Sequence, residues 1–101
     1  YVHYNTAEFR FKWDPRKARS NERKHGVTFD EASTVFADEN ALLIPDPDHS
    51  AIEDRYILLG LSSSIRLLVV VHVFRDEDDV IRIISARKAT PNESRQYGAQ
   101  I

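Results

Sequence analysis

The sequence of 101 residues has no cysteine and no methionine, and it contains only three glycines and four prolines. Without cysteine, neither disulfides nor thiolate metal sites can form, which favours an intracellular protein over a small secreted one. The scarcity of glycine and proline excludes low-complexity and fibrous chains. No apolar run approaches eighteen residues and no signal-like segment opens the chain, so we expect a cytoplasmic protein that does not bind membranes.

The length is that of one domain with one hydrophobic core. Because methionine is absent, we expect the natural start to be missing or replaced. Residues 1–8 are therefore expected to be a leader or a vector-derived extension, and residues 9–101 to form the functional domain.

The net charge of −2 conceals a strong segregation of charge along the chain. Residues 10–25 contain seven basic side chains and two acidic ones, whereas residues 29–54 contain eight acidic side chains and neither lysine nor arginine. Separate basic and acidic surfaces are therefore expected, suited to an anionic and a cationic partner. The alternative interpretation is ordinary solvated charge on helix faces and loops.

Local patterns predict one α+β domain in which a strand and two helices precede four strands and a last helix. Apolar and basic side chains alternate in residues 9–13, as in a half-buried strand. Asp14 caps the first helix and Gly26 ends it, and capping boxes begin the second helix at Thr28 and the last at Thr90. An antiparallel sheet is predicted from strands at residues 41–44, 56–61, 66–74 and 80–85.

The first predicted helix is polar where a core-facing stripe would be apolar. Ala18 is the one apolar residue between its ends, and the arc around it carries Lys17, Asn21, Lys24 and His25. An unpaired buried donor costs about 1–3 kcal/mol. Either this helix is held loosely on the surface, or the arc borders a functional site.

His72 interrupts an otherwise apolar strand. One interpretation is a hydrogen-bonded core histidine. If residues 76–78 form the turn, position 72 lies opposite position 82, which would place His72 beside Arg82. A neighbouring cation lowers the pKa of an imidazole and favours the neutral base, so such a pair would suit catalysis. A shift of the register by one residue breaks this pairing.

Several basic side chains are candidates for nucleic-acid chemistry. Cleaving RNA without a metal needs a base for the 2′-hydroxyl proton, cations for the phosphate and an acid for the leaving oxygen. Arg87 and Lys88 also lie just before a helix amino terminus, which attracts anions. The residues available to converge are Lys17, Lys24, His25, His72, Arg82, Arg87 and Lys88.

A metal site is a competing interpretation for the segment of residues 45–50. Asp46, Asp48 and His49 are of the residue types that ligate metals, but aspartate, proline and serine also favour turns for backbone reasons. A metal-dependent hydrolase built on them would lose its activity on chelation.

Three motifs occur together in one order: FKWDPRKARSNERKHGVTFDEA, IPDPDHS followed by Arg55, and RIISARKATPNESRQY. With them the chain resembles, from about residue 9 to residue 97, the BrnT family of toxins from bacterial type II toxin–antitoxin modules. The positions that match family motifs are Trp13, Asp14, Lys17, Asn21, Lys24, His25, Gly26, Arg55, His72, Arg82, Ser85, Ala86, Arg87, Glu93 and Tyr97.

The resemblance implies a RelE-like α+β fold and RNA cleavage that needs no metal and halts translation. It also implies a BrnA-like antitoxin with a ribbon-helix-helix domain, so that operator DNA is contacted only through the antitoxin. The strand register and the motif positions together predict a catalytic group of His72, Arg82 and Arg87, with Lys17 and Arg55 positioning phosphate and no metal or other cofactor. The predicted RNA-binding residues are Lys24, His25, Lys88, Asn21 and Tyr97.

The modest net charge keeps one rival class of function open. The chain would then be a non-catalytic binding module, acting in a protein complex that regulates transcription. Incubating the purified chain with RNA and EDTA separates the two classes, because only the endoribonuclease cleaves.

Overall fold

The computed structural model describes residues 10–47, 55–75 and 79–99, so the predicted leader at residues 1–8 lies outside the described chain. A strand and two helices are followed by four strands and a last helix, in the predicted order. None of the described helices is long and apolar enough to cross a membrane. The elements are β1 (Arg10–Lys12), α1 (Pro15–His25), α2 (Phe29–Thr34) with a 3₁₀ turn (Val35–Ala37), β2 (Leu42–Pro45), β3 (Arg55–Leu61), β4 (Leu67–Arg75), β5 (Val80–Lys88) and α3 (Pro91–Gly98).

The sheet has the strand order β1-β5-β4-β3-β2. Strands β2 to β5 form the expected antiparallel meander. The four-strand antiparallel prediction is thereby confirmed, and β1, whose partner was not predicted, pairs with β5 in parallel and makes the five-stranded sheet mixed. A parallel neighbour must be reached by a long crossover, and here the chain between β1 and β5 includes both amino-terminal helices. The polar–apolar–polar pattern of the three residues of β1 is the same in either chain direction, so it does not indicate whether β1 runs parallel or antiparallel to its neighbour.

The helix ends follow the local signals, with one exception. The Asp14 carboxylate accepts a hydrogen bond from the Arg16 N–H at 2.8 Å, and Gly26 ends α1 with a φ of 68°. The capping box at Thr90 is complete. At Thr28 the hydroxyl accepts from the Glu31 N–H at 3.1 Å, but the Glu31 carboxylate binds the guanidinium of Arg66 and the hydroxyl of Ser62. This contact ties α2 to the β3–β4 hairpin.

Each face of the sheet has its own hydrophobic cluster. The helices α1 and α2 cover one face, which we call the helix face, and the buried residues there include Phe29, Phe36, Leu68 and Ile83. On the other face α3 covers a smaller cluster of Leu59, Val69 and Tyr97. Among the described residues, α3 is the one helix that packs on this second face, and its eight residues lie over only part of it. We call this second face of the sheet the open face.

A β-bulge in β5 determines which side chains reach the open face. Val73 lies opposite Arg82 and His72 opposite Ile83, but Val71 lies opposite Ser85, which leaves Ile84 as an extra residue. In a regular strand, residues five apart point to opposite faces. The extra residue changes this parity, so Arg82 and Arg87 both point away from the helix face.

Candidate nucleic-acid interface

Four residues on four adjacent strands form one row across the open face. Lys12 on β1 is the register partner of Arg82 on β5, Arg82 pairs with Val73 on β4, and Val73 pairs with Arg55 on β3. Register partners point to the same side of a sheet. Lys12 and Arg82 are exposed, Arg55 is half-buried, and Val73 between the arginines is 5% exposed. We call Lys12, Arg82, Val73 and Arg55 the cationic row.

The row lies away from the part of the open face that α3 approaches. Helix α3 packs on Leu59 and Val69 through Tyr97. Val69 is four residues from Val73 along β4, a distance of about 13 Å at the usual rise of a strand. Helix α3 therefore does not cover the cationic row, in which the side chains of Lys12 and Arg82 are exposed.

Lys12 and Arg82 keep their hydrogen-bonding capacity. Within residues 10–47, 55–75 and 79–99, neither side chain forms a hydrogen bond or an ion pair. A guanidinium presents a planar fork of N–H donors that matches two oxygens of a phosphate, and an ammonium acts as a compact point charge. Three strand spacings of about 4.8 Å put the Cα atoms of Lys12 and Arg55 about 14 Å apart, which leaves room for a phosphodiester between their side chains.

Arg87 points to the same face as Arg82 but is engaged in holding α3. Its guanidinium donates to both carboxylate oxygens of Glu93 at 2.8 Å. These hydrogen bonds are the main cause that lowers the pKa of Glu93 to about 2, and they raise the pKa of Arg87. The same carboxylate accepts from the Thr90 N–H in the capping box. Arg87 therefore fixes the start of α3 in this structure.

The predicted pairing of His72 with Arg82 is wrong. Asp79 stays in the turn with a φ of 52°, so the turn is one residue longer than expected and the register moves by one. His72 then points to the helix face, where its ring packs edge-on against Phe36 at a centroid distance of 4.8 Å. Its Nδ1 lies 3.2 Å from the Val70 carbonyl oxygen, and burial lowers the pKa of His72 to about 4. His72 and Arg82 lie on opposite faces of the sheet.

Asn21 accounts for the polar arc of α1. Its amide donates to the carbonyl oxygens of Val27 at 3.0 Å and Ala86 at 2.8 Å, and its carbonyl accepts from the Ala86 N–H at 3.1 Å. Both donors of this buried amide are therefore used, and the two hydrogen bonds with the Ala86 backbone fasten α1 to β5. The helix docks through one satisfied amide rather than through an apolar stripe.

Tyr97, also predicted to bind RNA, is a residue of α3, and its side chain is buried between this helix and the sheet. Its hydroxyl donates to the Asp38 carboxylate at 2.7 Å, and the same carboxylate oxygen accepts from the Leu61 N–H at 2.8 Å. Burial and then Asp38 raise the pKa of Tyr97 to about 12. Like Asn21, Tyr97 uses its polar atom inside the protein.

The remaining predicted residues lie on or near the helix side of the sheet. Lys17 and Lys24 are exposed on α1 and His25 is half-buried, while Arg16, Arg19 and Arg23 point outward from the same helix. Lys88 is exposed, and its charge adds to the stronger effect of Arg66 in lowering the pKa of Glu31 on α2. These cations do not belong to the cationic row, so the predicted site divides between two surfaces.

Sequence reasoning missed two cations of β1, Lys12 and Arg10. The sequence pattern places both on the polar side of a half-buried strand, and in the structure both are exposed beside β5. Their alternation with Phe11 was the available signal for their face. The sequence did not indicate that β5 is the strand beside them, because the parallel pairing of β1 with β5 has no local signature.

The segment considered for a metal is only partly described. Asp46 is buried, and its N–H donates to the Arg55 carbonyl oxygen at 2.9 Å. Asp48 and His49 lie outside the described residues. Elsewhere in the described chain, no group of three or more histidine, aspartate and glutamate side chains has the arrangement of a metal site.

A small α+β domain that presents exposed cations in a row on one face of its sheet is suited to an anionic polymer. Residues 13–93 match the family described as the ribonuclease toxin, BrnT, of type II toxin–antitoxin system. The chain belongs to this BrnT family of ribonuclease toxins, which confirms the resemblance seen in its motifs. The match supports the endoribonuclease and gives no support to a non-catalytic binding module.

A solved structure has the same fold. The chain is similar to the Brucella abortus ribonuclease toxin BrnT, whose crystal structure is at 1.1 Å resolution, with a TM-score of 0.63 and 21% sequence identity. The similarity covers 81% of this chain and 97% of the Brucella chain. No curated protein sequence matches this chain.

Proposed function

We propose that this toxin cleaves RNA at the cationic row without a metal ion and thereby inhibits translation. The observation that carries the proposal is the placement of Arg82 and Arg55 on either side of Val73, beside Lys12, on the sheet face opposite α1 and α2. Negative charge grows on the phosphate oxygens during cleavage, and fixed guanidinium groups stabilise such charge.

In the proposed reaction the 2′-hydroxyl attacks the adjacent phosphorus and the bond to the 5′-oxygen breaks. The products are a 2′,3′-cyclic phosphate and a 5′-hydroxyl. Arg82 and Arg55 would hold the non-bridging oxygens as charge develops on them. His72 is left out of this step because it points to the helix face, and Arg87 because it is bound to Glu93.

The cations of the helix side have a separate place in the proposal. Lys17, Lys24, His25 and Lys88 would contact phosphates of the RNA beyond the scissile one. Such contacts increase affinity without selecting a base sequence. Asn21 and Tyr97 are left out of the proposed RNA contacts because their polar atoms bind inside the protein.

The proposal predicts that Arg82→Ala and Arg55→Ala each lower the rate of RNA cleavage. Removing one preorganised donor to developing charge costs roughly 10²–10³ in rate. The readouts are cleavage of RNA by the purified chain and growth arrest on expression without antitoxin. Arg95→Ala on α3 is the matched control, because it removes an exposed arginine away from the row. Circular dichroism checks that each variant is folded. Undiminished cleavage and toxicity in both row variants would rule out the cationic row.

The products of the same reactions test the chemistry. Mass spectrometry of the cleaved ends is expected to show a 2′,3′-cyclic phosphate, with or without EDTA. A 5′-phosphate product that disappears with EDTA would instead establish a metal-dependent hydrolase.

Membership of a type II toxin–antitoxin family implies an antitoxin partner. We propose that this partner is BrnA-like, with a ribbon-helix-helix domain, and that the resulting hetero-oligomer contacts operator DNA only through the antitoxin. Inhibition most simply requires that the antitoxin cover the cationic row or deform it. Helix α3 borders the same sheet face, so the proposed contact surface comprises the rim of the row together with α3.

A further inference from the structure

We infer that Lys12 is a further catalytic residue, the acid that protonates the 5′-oxygen as it leaves. The inference rests on the proposed cleavage of RNA at the cationic row. It goes beyond that proposal because it assigns a proton transfer to a residue that neither the motifs nor the sequence pattern singled out.

The position of Lys12 follows from its pairing with Arg82. The parallel register makes the two residues direct neighbours, and Phe11 beside Lys12 packs into the cluster of the helix face. Lys12 therefore points to the open face, where it is exposed. It occupies one end of the cationic row, and Arg55 occupies the other.

The two ends of the row suit an in-line displacement. The attacking 2′-oxygen and the leaving 5′-oxygen lie on opposite sides of the phosphorus. With the phosphate held by the exposed Arg82 between Lys12 and Arg55, a group at one end of the row faces one of these oxygens. Lys12 is placed to serve one oxygen and Arg55 to stabilise the other side of the phosphate.

Among the described cations of the open face, Lys12 is the one whose side-chain type readily gives up a proton. An arginine guanidinium is not deprotonated in proteins, whereas an ammonium is a proton donor with three N–H bonds. The other described acids nearby are unsuitable. Tyr97 donates to Asp38, and Glu93 is held as a carboxylate by Arg87.

The proton and electron balance of the step closes without a co-reactant other than water. The 2′-oxygen forms a bond to phosphorus and its proton passes to water. The bond between phosphorus and the 5′-oxygen breaks, and its electron pair stays on that oxygen. The 5′-oxygen takes a proton from the Lys12 ammonium, and the resulting amine regains a proton from solvent.

The test uses Lys12→Arg and Lys12→Ala with two RNA substrates. One substrate is ordinary RNA, and the other has sulfur in place of the scissile 5′-oxygen, a leaving group that needs no protonation. Lys12→Arg keeps the positive charge but loses the proton donor. We expect it to cleave ordinary RNA about 10²-fold more slowly than the unmodified chain, with binding within about twofold, and to cleave the sulfur substrate at nearly the unmodified rate. Lys12→Ala is expected to bind RNA more weakly as well.

Either of two results would overturn the inference: Lys12→Arg cleaves ordinary RNA at the unmodified rate, or its deficit is equally large on the sulfur substrate. Arg82→Ala separates this failure from failure of the proposed function, because loss of the phosphate contact slows both substrates. If Arg82→Ala and Arg55→Ala also cleave both substrates normally, the cationic row itself is wrong. Circular dichroism confirms the fold of each variant.

Discussion

The imidazole of His72 makes the stability of this protein depend on pH. The residue lies in strand β4, and its ring is fully buried against Phe36 of the 3₁₀ turn. Burial disfavours the charged form and lowers the pKa of His72 from 6.5 to about 4, against a weaker opposite effect of the Val70 carbonyl. In the unfolded chain the imidazole takes up a proton near its ordinary pKa of about 6.5.

Between pH 6.5 and 4 the unfolded chain therefore binds more protons at His72 than the folded protein does. The free energy of unfolding contributed by this residue is complete above pH 6.5 and falls as the pH drops to 4, by roughly 3 kcal/mol at 1.36 kcal/mol per pKa unit. Urea unfolding at a series of pH values measures this loss. His72→Leu removes the titrating group at similar volume, and its stability should fall less over the same range. Parallel curves for the two proteins would contradict the assignment.

Helix α1 shows how an element with almost no apolar surface can be held in place. The Asn21 side-chain amide donates a hydrogen bond to the Ala86 carbonyl oxygen and accepts one from the Ala86 N–H. Ala18 packs against the cluster of the helix face. The outward side is then left to exposed cations, including Lys17 and Lys24. A helix surface without exposed apolar residues lacks the core of a protein interface and fits the phosphate backbone of a nucleic acid better.

The double variant Lys17→Ala, Lys24→Ala should weaken RNA binding in a salt-dependent way. Each phosphate contact contributes about −0.7 to the slope of log affinity against log salt for single-stranded RNA, so losing two contacts should make the slope less negative by about 1.4. Fluorescence anisotropy with a labelled RNA between low and high salt measures the slope. The cleavage rate of bound RNA should stay unchanged, because neither residue lies in the cationic row. An unchanged slope would remove α1 from the RNA contacts.

Across the whole molecule, the open face of the sheet combines the proposed cleavage site with helix α3. Strand β5 joins them, since it carries Arg82 in the row and Arg87 at the start of α3. A partner that covers the row from the side of α3 would block the RNA and contact the helix at once. The acidic segment, residues 29–54, is the competing surface for the antitoxin.

Hydrogen exchange with and without the antitoxin distinguishes these surfaces. We expect added protection at residues 82–97, because exposed amides at the rim of the row and in α3 become covered. Arg95 and Asn92 on the exposed side of α3 should be among the residues protected. Protection confined to residues 29–54, with none at residues 82–97, would instead place the antitoxin on the acidic segment.

Local signals were sufficient for the order and the type of the elements. The cap at Asp14, the left-handed Gly26 and the complete box at Thr90 act within a few residues, so they can be read without the fold. The same holds for the alternation in β1 and the long apolar runs of the meander. The motifs were sufficient for the family, and Arg82 and Arg55 were among the residues named for the site.

The distribution of side chains over the two faces was decided by the tertiary structure. The longer turn at Asp79 and the bulge at Ile84 are departures from regular pairing, and they put Arg82 and Arg87 on the open face, opposite to the face of His72. Local residue types do not reveal either departure, because a shift of one residue exchanges the faces while leaving the pattern plausible. Lys12 came beside Arg82 only through the parallel pairing of β1, a contact between residues seventy positions apart. The sequence by itself determined which cationic side chains the toxin contains, and the strand pairing of the sheet determined which of them lie side by side.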